Sequence, residues 1–467
     1  GEKNSAFGYN SLSDNTTGDQ NTAVGRSALQ NNTTASNNTA IGELSLAANT
    51  TGATNVAVGR IALNANTTAD NNTAVGYGSL AANTTGTQNV AVGAAALDAL
   101  TDADNNVALG YLSLSADTLG SRSVAVGSHA LTAQNFTSAT DTYNTAVGFF
   151  AGLSVTTGVQ NTFVGGLAGD ALTDADYNTA VGYGALTSDT LGSRSTALGA
   201  GALAIQNFTS ATTTYNTAVG YDAGNQVTTG IHNTLIGGLA GDALTDADSN
   251  VAVGYNSLST NTLGSACIAV GTGTLFSHNV TSAAQTFNTA VGYDAGNAVT
   301  TGTDNTLIGG LAGDAITTGS NNVALGRSAL TANTTASDNT AVGMASLAAN
   351  TTGANNTAVG RDALTLNTTG ASNTSMGSLS LDANTTGNDN TAVGVNALTS
   401  NTTASNNTAV GVNSLNANTT ASNNTAVGTS ALVANTGQGN TVLGSQVAEE
   451  QTTGQENVII GFNAGSH

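Results

Sequence analysis

The chain contains no proline and no tryptophan, and aromatic residues make up only 4% of its 467 positions. Any core is therefore thin and built from Val, Leu, Ile, Ala and Thr, which excludes a thick multilayer interior. Charged residues amount to 7%, with 7 basic against 28 acidic side chains and a formal charge of -21. Without a basic stripe to neutralise phosphates, nucleic acid is not expected as a partner. The single Cys267 rules out an intrachain disulfide framework. No run of about 20 apolar residues is present, so this segment is not expected to insert into a membrane. The start, Gly1-Glu2-Lys3-Asn4, lacks the charged and apolar regions of a signal peptide.

What is present is one phrase, Asn21-Thr22-Ala23-Val24-Gly25, returning along the whole chain. Its glycine recurs at Gly8, Gly25, Gly42, Gly59, Gly76, Gly93, Gly110 and Gly127 in steps of 17 and continues to Gly461, giving 27 units. The step is 21 from Gly127 to Gly148, Gly199 to Gly220 and Gly271 to Gly292, and 16 from Gly428 to Gly444. The length alone would suggest several domains, but a period this short indicates a single continuous solenoid over residues 1–467, each unit leaning on the next. Apolar residues at fixed offsets also argue against disorder, which low charge and abundant Asn, Thr, Gly and Ala could otherwise suggest.

With the glycine set to zero, position -1 is nearly always Val, Ile or Leu and position -3 nearly always Thr or Val, with Ala usually between them. At strand period the outer two share a face, which is expected to be the buried one, leaving Ala to point the other way. Leu at +4 (Leu12, Leu29, Leu46, Leu63) is a second apolar anchor, and Asn-Thr-Thr-Gly or Asn-Thr-Thr-Ala then suits a turn. The expectation is two short strands and two turns per coil, with no helix, since no unit has apolar residues at a 3.6 period. Asn at -4, as in Asn21, Asn38, Asn55 and Asn72, is replaced only by Ser123, Ser195 and Cys267. Stacked at about 4.8 Å, these amides are expected to form a structural ladder, each bonded to the next. The fold class expected is an all-β parallel β-solenoid of about 27 coils, on the order of 130 Å long.

A 72-residue period runs through residues 120–316, where Leu119-Gly120-Ser121-Arg122 is echoed by Leu191-Gly192-Ser193-Arg194 and Leu263-Gly264-Ser265. Each is followed by an insertion, at 132–143, 204–215 and 276–287. Four extra residues are expected to bulge as loops. They concentrate aromatics, so Phe136, Tyr143, Phe208, Tyr215 and Phe287 are candidate ligand-binding residues, repeated about 19 Å apart; covering the roll or packing between subunits is their other reading. Around the same blocks Leu at +4 becomes Gly (Gly152, Gly169, Gly224, Gly241, Gly296, Gly313), which suggests a slimmer coil.

No catalytic group stands out. Asp98, Asp102 and Asp104, echoed at Asp170, Asp174, Asp176 and at Asp242, Asp246, Asp248, invite a calcium reading, but the spacing fits neither an EF-hand nor a calcium-binding β-roll. His129, His232, His278 and His467 lack paired spacing for zinc. Neither a metal nor a cofactor is expected, nor enzymatic activity. The frequent Asn-Thr-Thr matches to the glycosylation pattern are explained by the turn.

The combination of Asn-Thr-Ala-Val-Gly, Ala-Leu and Asn-Thr-Thr-Gly resembles the head repeats of trimeric autotransporter adhesins, and more closely the long repeat regions of phage-type tail fibres and bacterial surface fibres. The likeness spans Gly8 to Gly461. It implies a left-handed parallel β-roll, three chains side by side as a homotrimer, and an extracellular place on a cell or virion surface. It also implies attachment to a glycan or protein receptor. The chain departs from it in showing no coiled-coil stalk and no membrane-anchor barrel. Two other functions fit the repeat: an ice-binding solenoid with stacked Thr at +8 (Thr16, Thr33, Thr50, Thr67), or a purely structural filament. A carbohydrate-active β-helix would be expected to show non-repeating acids and aromatics in one groove, which the sequence does not reveal.

Overall fold

The computed structural model describes residues 1–465, and His467 therefore lies outside the described residues. The chain is a parallel β-solenoid of about 27 coils without a helix, and it divides into two compact units, Gly1–His232 and Asn233–His467. Among the described residues the first unit carries 13 three-residue strands and the second 14, each built on the -3 to -1 triplet. Triplets of successive coils pair in parallel with a shift of one repeat, as in Thr22↔Thr39, Ala23↔Ala40 and Val24↔Ile41. The register survives the irregular steps. Val124↔Thr145 spans a 21-residue step and Thr425↔Thr441 the 16-residue one.

An ordinary coil has only this one strand, not the two expected. The rest is a chain of bends, with the left-handed backbone region used at -5, +2 and +4, mostly by non-glycine residues such as Asn37, Leu44 and Leu46 at φ 64°, 59° and 50°. That region is uncommon for side-chain-bearing residues. What offsets it is packing: Leu46 is fully buried, and its N–H donates to the Ala62 carbonyl of the next coil at 2.9 Å. The repeat glycine is required twice over. Gly25 has φ 130°, and a Cβ there would lie 2.6 Å from the Gly42 carbonyl oxygen.

The strand's inside and outside are the reverse of the expectation. Ala23, Ala40 and Ala57 at -2 are fully buried, whereas Val24 and Ile41 at -1 are 36% and 40% exposed. The reason is volume. Leu at +4 already fills the coil, and only a methyl group fits opposite it. The glycines at +4 come in successive coils. In the second coil of each pair position -2 enlarges, to Phe163 in the first unit and to Leu235 and Leu307 in the second, all fully buried, while Ala146, Ala218 and Ala290 stay small in the first coil. The space is thereby filled, and the expected slimmer coil does not appear. A Cβ on Gly152 would lie 2.8 Å from Phe163 Cδ2, and one on Gly241 2.8 Å from Leu235 Cδ2. Position +7 turns apolar in the same coils (Val155, Leu172, Leu244, Ile316), so an Asn-lined interior is exchanged for an aliphatic one at constant register.

The asparagine ladder exists, and backbone groups join the amides as its partners. Asn21, Asn38, Asn55 and Asn72 are fully buried. Asn21 Oδ1 accepts from the backbone N–H of Asn38 at 3.0 Å, and Asn38 Oδ1 from that of Asn55 at 2.9 Å. Asn38 Nδ2 meanwhile donates to the Gly52 carbonyl at 2.9 Å. In the second unit the -4 row also bonds amide to amide, Asn305 Nδ2 donating to Asn288 Oδ1 at 3.2 Å and Asn322 Nδ2 to Asn305 Oδ1 at 3.1 Å. A second ladder, at +7, does the same: Asn49 Nδ2 donates to Asn32 Oδ1 and Asn66 Nδ2 to Asn49 Oδ1, at 2.9 and 2.8 Å. The sequence reading had assigned these residues to a turn alone.

Candidate functional site

Pleating sends -3 and -1 outward, so every coil contributes an apolar side chain to an outer row. Leu109, Leu198, Ile236, Ile268, Leu325 and Met376 are 37–45% exposed. Water-facing apolar residues in unbroken register make a contiguous patch, and such patches mark association surfaces.

The insertions have a polar interior. In the first, Gln134 Nε2 donates to Asp117 Oδ2 at 2.5 Å and to Ser123 Oγ at 2.8 Å, while Gln134 Oε1 accepts from Asn144 Nδ2 at 2.9 Å. Asp117 Oδ1 accepts from the N–H groups of Gly120 and Phe136. Asp189, Ser195 and Gln206 repeat the arrangement. Burial pushes both Asp117 and Asp189 carboxyls above the usual carboxylate range, against the opposing pull of their hydrogen bonds. In the third insertion the same places hold Asn261, Cys267 and His278. Cys267 Sγ and His278 Nε2 lie 2.8 and 3.3 Å from Thr286 Oγ1. Burial raises the Cys267 thiol to about 11 and lowers the His278 imidazole to about 4.

The candidate loop aromatics divide into two groups. Phe136 and Phe208 are only 6% exposed, and each donates its backbone N–H to the buried carboxylate of Asp117 or Asp189. Tyr143, Tyr215 and Phe287 are half exposed. Arg122 covers the Tyr143 ring at 5.5 Å and donates to its hydroxyl at 2.8 Å. Arg194 sits between Tyr177 and Tyr215, at 4.7 and 5.9 Å from the two ring centres, and Tyr215 stacks on His232. This edge is thus an ordered run of rings and guanidinium groups.

The acidic triplets serve the coil edges. Asp104 Oδ1 accepts from the Thr87 N–H and hydroxyl at 2.6 and 2.9 Å, and Asp176 Oδ1 from the Val159 N–H at 2.7 Å. Among the described residues no three His, Cys, Asp or Glu side chains gather as a metal-binding group. The Thr hydroxyls at +8 are engaged within the stack, Thr33 donating to the Thr50 carbonyl and Thr50 to the Thr67 carbonyl at 3.0 Å. No described helix is long and apolar enough to cross a membrane. No protein-family model matches the chain, and no curated protein matches it.

One group of side chains escaped the sequence reading. Position +1 carries aromatics at every second coil, Tyr77, Tyr111, Phe149, Tyr183 and Tyr221 in the first unit and Tyr255 and Tyr293 in the second, all more than half exposed. Ala94, Ser128, Gly166 and Ala200 stand between them in the first unit and Thr272 in the second. The alternation of large and small at +1 was the available signal.

Proposed function

We propose that the chain is a non-enzymatic fibre segment in which three copies lie side by side against the outward -1 and -3 row and which mediates or spaces attachment at a cell or virion surface. The observation that carries this is the row itself: a solenoid interior already filled by Ala and Leu leaves Val, Ile and Leu in water in coil after coil. Association removes that apolar area from solvent. The resemblance to adhesin heads and tail fibres supplies the number three, the left-handed winding and the extracellular setting. In this assembly Tyr143, Tyr215 and Phe287 at the insertion edges are the proposed contacts to a surface glycan or protein.

Light scattering tests the assembly. The expected mass is three times the 45.5 kDa chain, and a Val75→Asp, Val92→Asp, Leu109→Asp variant, which charges three neighbouring rungs, is expected to run as a folded monomer. A wild-type chain that is monomeric at micromolar concentration would overturn the assembly.

A further inference from the structure

Side chains at +1 in successive coils are neighbours. Where several are long they pair with one another: Arg60 Nε lies 3.3 Å from Glu43 Oε2, Arg60 also stands 5.7 Å over the Tyr77 ring, and Arg327 reaches the Met344 sulfur at 3.5 Å. Where large and small alternate, a ring has no such neighbour, and a slot opens beside it. Around Tyr111 that slot is filled by His129 and Phe150, whose ring centres lie 5.3 Å from Tyr111 and 3.9 Å from Phe149 respectively.

Between Tyr183 and Tyr221 it stays open, because +2 is glycine at Gly201, and the second unit repeats that glycine at Gly273 between Tyr255 and Tyr293. In the first unit Tyr183 and Tyr221 wall a shallow cleft of about 330 Å³ floored by Ala200 and Gly201 and edged by Thr187 and Asp222. In the second unit Tyr255, Thr272, Gly273, Tyr293 and Asp294 hold the equivalent positions. The carboxylates are placed similarly. A Cβ on Gly201 or Gly273 would collide with Asp222 or Asp294, so only glycine leaves the acid room over the slot. Asn225 Nδ2 donates to Asp222 Oδ1 at 3.2 Å and to the Gly201 carbonyl at 3.1 Å, and Asn297 Nδ2 donates to the Gly273 carbonyl at 3.0 Å. The Tyr221 and Tyr293 phenols are bonded to these acids, which raises their pKa.

Two rings flanking an apolar floor, with one fixed acceptor at the side, suit a pyranose: its C–H face packs on the ring and its rim hydroxyls donate to the carboxylate. Two coils advance about 9.6 Å, and the two-residue repeat of an extended β-1,4-linked hexose polymer matches this to within about 1 Å. An acid at each cleft and a chain charge of -21 disfavour anionic polymers. A single carboxylate edges the first cleft, whereas glycoside hydrolysis takes two. We infer that the Tyr183–Tyr221 and Tyr255–Tyr293 clefts are binding sites, without hydrolysis, for a neutral, extended β-1,4-linked polysaccharide. This gives the attachment reading a receptor class and rests on it for that purpose alone. A trimer that ignores the polysaccharide removes the clefts' role and leaves the assembly standing, and a monomer that binds it does the reverse.

The test is co-sedimentation of the full chain with microcrystalline cellulose and with chitin, and calorimetric titration with cellohexaose and chitohexaose. The expected result is retention on at least one polymer, weakened at least tenfold by combining Tyr183→Ala, Tyr221→Ala, Tyr255→Ala and Tyr293→Ala, and unchanged by Leu366→Ala at another exposed site. Filling the slots with Ala200→Gln and Thr272→Gln is expected to cause the same loss with all rings in place, which covers the case of a four-tyrosine variant that misfolds. The inference is overturned if the wild-type chain is not retained on either polymer, or if both variants bind as it does. It is also overturned if alginate or single-stranded DNA binds equally well, or if ring removal changes the oligomeric mass, which would make the rings an interface between copies.

Discussion

His278, in the third insertion, and Asp117, in the coil beneath the first, respond to acid in opposite senses. The imidazole is lowered in the fold from 6.5 to about 4. Its contribution is complete above the unfolded value and is lost as pH falls through the folded one. The third insertion should therefore loosen between pH 6.5 and 4, by on the order of 3 kcal/mol. Hydrogen exchange over 276–287 at pH 7 and pH 4.5 checks this, and His278→Gln, which restores the residue used in the other two copies, should abolish the difference. Asp117 and Asp189 are raised by burial. Their contribution is full below about pH 4, where the unfolded carboxyl is protonated too, and is lost as pH rises through the folded value. Asp117→Asn with Asp189→Asn should then raise the melting temperature at pH 7 and leave it unchanged near pH 3. Asn261 already stands at that place in the third copy.

At the scale of the coil, the two asparagine ladders and the exchange between -2 and +4 carry the fold. Asn55→Ala would leave the buried Asn72 N–H without its partner, a loss of about 1–3 kcal/mol, while the Ala69 carbonyl keeps its bond from Asn66 Nδ2. Urea denaturation should show it. Phe163→Ala, between two glycines that cannot fill the space, should cost about 3–5 kcal/mol, and adding Gly169→Leu should recover part of that loss because the pair then matches an ordinary coil.

The same elements show what was legible in advance. The 17-residue period, the glycine column, the buried Leu at +4 and the existence of the -4 ladder follow from spacing alone. Which face of the triplet is inside does not. A three-residue strand offers a single alternation, and Ala is as apolar as its neighbours, so the decision rests on how much room Leu leaves across the coil. The covariation of Phe163 with Gly152 and Gly169 records that competition for volume in the sequence. The loop rings Phe136 and Phe208 are buried where their backbone N–H groups meet Asp117 and Asp189, the same carboxylates that Gln134 and Gln206 hold. The glutamines stand two residues before the rings, but Asp117 and Asp189 act from the neighbouring coil, 17 residues before those glutamines, and so leave no local mark.

On the scale of the whole chain, stability is a sum over neighbouring coils. Removing one whole repeat, Arg327–Gly343, joins Gly326 to Met344 in register and should leave circular dichroism per residue unchanged with a small loss of stability. Removing 327–334 alone turns buried columns outward and should unfold the region around it.

Because strands of adjacent coils lie side by side within each unit, the bonds between them point along the direction of stacking. A load applied in that direction pulls each rung apart in tension instead of shearing many at once. Stretched between its ends, such a molecule should yield in a train of small, even releases, each freeing on the order of 55 Å of chain, and close again coil by coil when the force drops. It would then work as an extensible tether, absorbing a tug through many weak steps where a globular domain would rupture once.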